Sequence, residues 1–75
     1  MEIADFVIHL KADLPAAERD KLAAELAEGR GVVSAHFSHE HPHLLNIAYN
    51  PDATNSTDLL KLVGAHGGEA FKVGL

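Results

Sequence analysis

Seventy-five residues with 47% hydrophobic content suffice for one small domain, residues 1–75, with one core. Six lysines and arginines against eleven acidic residues leave a net charge of −5, which disfavours nucleic acid and suits cations or basic protein surfaces. The absence of cysteine excludes disulfides, thiolate metal sites, iron–sulfur ligation and thiol nucleophiles, and fits a reducing compartment.

In chain order, Met1 to Lys11 alternates, with Ala4, Phe6, Ile8 and Leu10 on one side and Ile3, Asp5, Val7, His9 and Lys11 on the other. That pattern predicts a strand whose even-numbered residues face inward. The opening MEIADF carries no basic segment of the kind a secretory signal has, so a cytosolic address is expected. No apolar run approaches the roughly 20 residues that span a bilayer, so no membrane insertion is expected.

Asp13-Leu14-Pro15 predicts a helix start, with Asp13 accepting from first-turn N–H groups and Pro15 tolerated where its missing donor is not needed. Glu18 adds negative charge near the positive end of the helix dipole. Leu22 and Leu26, four apart, mark the buried face, and Gly29 or Gly31 ends the helix. Gly31 to Asp52 reads as a β-hairpin. Val33, Ala35 and Phe37 alternate before a polar turn, Leu45, Ile47 and Tyr49 alternate after it, and Asn50-Pro51-Asp52 stops the second strand.

Asn55, Ser56, Thr57 and Asp58 offer caps for a second helix with Leu59, Leu62 and Val63 on its buried face and Leu60 beside them. Gly67-Gly68 terminates it, and Glu69 to Leu75 closes the chain as a strand with Ala70, Phe71 and Val73 available for burial. The predicted order is β-α-β-β-α-β. With right-handed crossovers it gives an α+β, ferredoxin-like sandwich: a four-stranded antiparallel sheet carrying both helices on one face.

At this level the chain resembles the heavy-metal-associated domains of copper chaperones and metal-pumping ATPases. The resemblance is carried by Gly31-Val32, Ala35 and Phe37, by Ile47, Tyr49 and the Asn50-Pro51-Asp52 corner, and by Leu59, Val63, Gly67 and Ala70. That family carries a Met-x-Cys-x-x-Cys loop between its first strand and helix. Counting back from Gly31 lays the loop on Asp13 to Glu18, with Asp13 at the methionine, Pro15 at the first cysteine and Glu18 at the second. Cu(I) carriage between paired thiolates is therefore excluded here. The same residues also serve simply as a capped helix start, or as a degenerate site for a hard cation.

His39, His41 and His43 alternate through the hairpin turn, following His36. Imidazole suits Zn, Ni, Co or Cu(II), and in an extended segment alternate side chains lie about 6–7 Å apart on one side. His36, His39, His41 and His43 are the candidate metal ligands, with Glu40 able to add an oxygen. A polar turn that collects histidines without specific binding is the plainer alternative. This turn is expected at the end of the sheet opposite the Asp13–Glu18 loop. His9 and His36 share the open sheet face with Asp5, Ser34, Asn46 and Ala48 as company, and His66 complements a helix dipole.

No nucleophile elbow or glycine-rich phosphate loop occurs, so an enzyme is not expected. Two functions stay open. One is a metal-binding or metal-carrying protein that uses histidines instead of cysteines. The other is a metal-free interaction module that docks on a transporter or regulator or pairs as a homodimer.

Overall fold

The computed structural model describes residues 2–73. The elements run β1 (Ala4–Leu10), α1 (Ala16–Ala27), β2 (Val32–Phe37), β3 (Leu44–Tyr49), α2 (Ser56–Gly67) and β4 (Ala70–Val73). The strand order is β2-β3-β1-β4, with every neighbouring pair antiparallel. This is the ferredoxin-like arrangement the element order predicts. The expectations for Met1, Gly74 and Leu75 lie outside the described residues.

The core is one layer between sheet and helices. Ile8 and Leu10 of β1 and Leu45 and Ile47 of β3 meet Leu22 and Leu26 of α1 and Leu59 and Val63 of α2, all buried. Burying each such side chain contributes about 1.5–3 kcal/mol. Register explains the choice of residues: Phe6 opposes Ile47 and Ile8 opposes Leu45, so the even residues of β1 and odd residues of β3 share the inner face. Phe6 also meets Tyr49 edge to face, 5.6 Å between ring centres.

Four sequence expectations are corrected. Val33 does not face the core: the β2–β3 register slips between Val32 and Ser34, Val32 packs against the core, and Val33 is 49% exposed. A bulge adds one residue and reverses the parity before it. Leu62 lies outside the buried stripe of α2, while Leu60 packs against the core. In β4 only Ala70 joins the core, because Phe71 opposes His9 and Val73 opposes Val7, both residues of the open face. Finally, α1 is capped by Pro15 with no side-chain bond, so Asp13 is not its cap.

α2 follows the sequence reading closely. Asn55 accepts from the Asp58 N–H at 2.9 Å and donates from its own amide to the Asp58 carboxylate at 3.1 Å. Gly68, at φ 87°, ends the helix. Across the sheet, Gly31 takes φ 82° and accepts from the Asn50 N–H at 2.7 Å, joining the start of β2 to the Asn50-Pro51-Asp52 corner.

Candidate functional site

Two strands joined by a single crossover helix run in the same direction, so β1 and β2 finish at the same end of the sheet. His9 of β1 opposes Leu44 at the start of β3, and the Leu10 N–H donates to the His43 carbonyl at 2.9 Å. The histidine turn therefore lies beside the loop that follows β1, not at the opposite end as expected from the sequence. The α2–β4 connection arrives there too, where Lys11 N–H donates to the Glu69 carbonyl at 3.0 Å.

His43 is held twice by its neighbour across the strands. Besides the backbone bond, its Nδ1 lies 2.8 Å from the Leu10 carbonyl oxygen. A carbonyl only accepts, so Nδ1 carries the proton and donates. Its Nε2 then points at the Asp13 carboxylate, 2.8 Å from Oδ1. With Nδ1 donating to the carbonyl, this contact is an ion-paired hydrogen bond only when Nε2 also carries a proton. The two partners differ in freedom: the His43 side chain is 37% exposed and Asp13 is 94% exposed.

His9 lies beside this pair. Its ring stacks on His43 with centres 5.9 Å apart and planes 20° off parallel, and on Phe71 at 4.9 Å and 32°. Its Nδ1 is buried without a hydrogen-bond partner, the one such side-chain atom among the described residues. Leaving a buried polar group unpaired costs about 1–3 kcal/mol. The residues adjoining in space include His41, and a cavity of about 280 Å³ is bordered by His9, Glu40, His41, Pro42, His43 and Leu44.

The structure thus divides the four predicted ligands. His41 and His43 border the cavity beside His9, whereas His36 and His39 border a groove on the α1 side, with Arg19, Asp20 and Pro42. The turn is tightened by the Ser38 hydroxyl, which accepts from the His41 N–H at 3.2 Å, and by the Leu44 N–H donating to the His41 carbonyl at 2.8 Å. An extended segment would have kept the three turn histidines on one side; this turn does not. Among the described residues no three histidine, aspartate or glutamate side chains stand close enough together to hold one ion. His36 also borders a shallow depression on the open sheet face with Asp5, Val7, Ser34, Asn46 and Ala48, the company its parity predicts. His66 sits in the last turn of α2, its Nδ1 3.4 Å from the Glu25 carboxylate. Asp13 and His9 are the neighbours of His43 that ligand spacing misses, since neither belongs to the alternating run.

No protein-family model and no curated protein matches the sequence. Solved structures do match its shape. A copper-binding domain from HMA7, a P-type ATPase, superposes with a TM-score of 0.81 at 17% identity over 93% of each chain. Oxidized MerP from Ralstonia metallidurans gives 0.82 at 11% identity, over 97% of this chain and all of that one. Copper CopA from Bacillus subtilis gives 0.78 at 18% identity, over 99% of this chain and 96% of that one. The chain has the fold of the heavy-metal-associated domain, and at these identities the likeness is one of fold.

Proposed function

We propose that this protein binds and carries a borderline divalent metal ion at the end of the sheet where the β1–α1 loop meets the β2–β3 turn. His43 is the anchoring ligand and Asp13 the second. One observation carries the reading: His43 donates from Nδ1 to a backbone carbonyl while its Nε2 faces a carboxylate at 2.8 Å. Metal-bound histidines are commonly fixed in this way, the outer nitrogen bonded to a carbonyl so that the inner lone pair points at the ion. Nitrogen and oxygen ligands at about 2.0–2.2 Å on a tetrahedral ion stand roughly 3.3 Å apart. Asp13 would need to withdraw by about half an ångström from its present place, which an exposed loop side chain is free to do.

A nitrogen–oxygen pair selects Zn, Ni, Co or Cu(II) over soft Cu(I), for which this chain has no thiolate. The net charge of −5 favours cation approach. His41 borders the same cavity and is the nearest further ligand in the turn; His39 and His36, on the α1 side, join only if the turn rearranges. The fold is shared with proteins described as copper-binding and as a metallochaperone, which supports carriage as the purpose. A cytosolic location belongs to the same proposal. Among the described residues no helix is long and apolar enough to cross a membrane.

The test is a histidine-resolved NMR titration with Zn(II), Ni(II) and Cu(II) at neutral pH, on the unchanged protein and on His43→Ala and Asp13→Asn. One-to-one saturable binding, abolished by the first change and weakened by the second, is expected. Weak shifts spread over all six histidines would overturn the reading. A second reading, docking on a transporter or regulator or on a second copy, is supported by Phe71 and Val73, 45% and 44% exposed on the open sheet face. It predicts a concentration-dependent mass with no metal requirement.

A further inference from the structure

We infer that the open face of the sheet is a self-complementary interface, on which a second copy of this chain seats face to face across a two-fold axis running along the strands. This interface is independent of the ion-binding site, and it commits the docking reading above to one occupant. Charge marks the face. The chain carries six basic and eleven acidic side chains, yet Asp5 is the one formally charged residue that the strand register places on the open side. Depletion of charge, with aromatic residues retained, is what distinguishes the core of an interface from other surface. Phe71 and Val73 stand on this uncharged ground, 45% and 44% exposed.

Shape selects the partner. Phe71 and Val73 make a ridge on the β4 side, while the β2–β3 side is a depression of about 320 Å³ bordered by the short side chains of Ser34, Asn46 and Ala48. The strand order β2-β3-β1-β4 puts ridge and depression on opposite sides of the β3–β1 boundary. A two-fold axis along that boundary lays β4 of each copy over β2 of the other, so ridge enters depression twice. Such an isologous contact closes at two copies. Register sets the heights: Val7 pairs with Asn46 and with Val73, and Asn46 pairs with His36, so these four form one row across the sheet. Rotation about the axis keeps that row level and brings the two Asn46 amides close to it. Each amide carries donors and an acceptor, so the pair can satisfy itself when covered. Asp5 lies two residues from that row and is exposed, at the solvated rim. Four strands about 4.8 Å apart and about six residues long make a face of roughly 400 Å² in projection. Two such faces reach the lower end of specific interfaces, which makes the dimer a transient one.

The experiment is sedimentation of the unchanged protein from about 10 μM to about 1 mM with a chelator present, the range in which small interfaces associate. A monomer–dimer equilibrium is expected. Val73→Glu should weaken it about tenfold or more, as removal of a central anchor does. Leu62→Glu, at an equally exposed apolar position on α2, should leave it unchanged. Circular dichroism checks that both variants fold. In a half-labelled sample, isotope-filtered NMR should connect the Val73 methyl groups with Ser34, His36 and Ala48, residues of strands that do not neighbour β4 within one copy. That readout needs no variant. A protein that stays monomeric at about 1 mM would overturn the inference, as would a dimer without these contacts or one that forms only when metal is added. None of these results bears on whether His43 and Asp13 hold an ion.

Discussion

Gly31→Ala separates two kinds of cost at the corner where β2 begins. Gly31 has φ 82°, and an added Cβ would lie 2.8 Å from the Ala53 Cβ and 3.1 Å from the Thr54 Cγ2. A left-handed backbone costs an L-residue about 1–2 kcal/mol. The Ala53 methyl is fixed to its own backbone, so relieving the contact means moving the corner, which adds about 1–3 kcal/mol. The sum, about 2–5 kcal/mol, compares with the roughly 3–5 kcal/mol that one core supplies in a chain this short. The melting temperature should fall by at least about 8 °C, at about 4–8 °C per kcal/mol. Gly68→Ala carries the conformational share alone, since φ is 87° but nothing lies within 4 Å of the added atom. Gly64→Ala, within α2 and in open space, should stabilise by about 0.5–1 kcal/mol. Urea denaturation followed by circular dichroism measures all three. Equal losses for Gly31→Ala and Gly68→Ala would refute the contact share, and a destabilised Gly64→Ala would refute the assignment of open space.

Leu26→Ala empties a fully buried position between α1 and the sheet and should cost about 2.7–5 kcal/mol, read as a shift of the urea midpoint without a change of slope. Asn55→Ala removes the cap bond to the Asp58 N–H and should cost about 1 kcal/mol by the same measurement, with less helix signal near the transition. Lys11→Ala breaks a contact with Glu69 at 3.5 Å between two exposed side chains and should leave stability within about 0.5 kcal/mol. Acidification should weaken metal binding: a histidine binds the ion only through a free lone pair, so affinity present at higher pH is lost as pH falls and protons compete. Calorimetry at two pH values checks this, and a pH-independent affinity would rule out nitrogen ligands.

Elements whose periodicity meets one covered face are legible from the residues alone. β1 and β3 place their fully buried residues at alternate positions, Ile8 and Leu10 in one and Leu45 and Ile47 in the other, as the sequence pattern predicts. Val33 escapes because the slip before Ser34 depends on pairing with β3, and pairing is not local. Phe71 and Val73 escape because Lys72 between them suggests the opposite side as the outer one, whereas Lys72 opposes the buried Ile8 and reaches out to donate to the Ser56 hydroxyl at 3.3 Å. Asp13 looks like a helix cap by local chemistry, yet a histidine thirty residues later takes its carboxylate. The shared end of the β1–α1 loop and the histidine turn follows from strand direction and could have been deduced: a crossover helix returns the chain to its starting end. The orphan nitrogen of His9 could not, since burial of one ring atom depends on His43 and Phe71 closing around it.

The doubled tie between Leu10 and His43 has a kinetic consequence. It makes the imidazole part of the strand ladder, while Asp13 hangs from a solvated loop. On the proposed reading, an ion held there would be let go by the exposed Asp13 carboxylate first and by the anchored imidazole last. On the same reading the looser arm would govern handover, and shortening Asp13's reach would change how fast an ion moves without changing how the sheet is built.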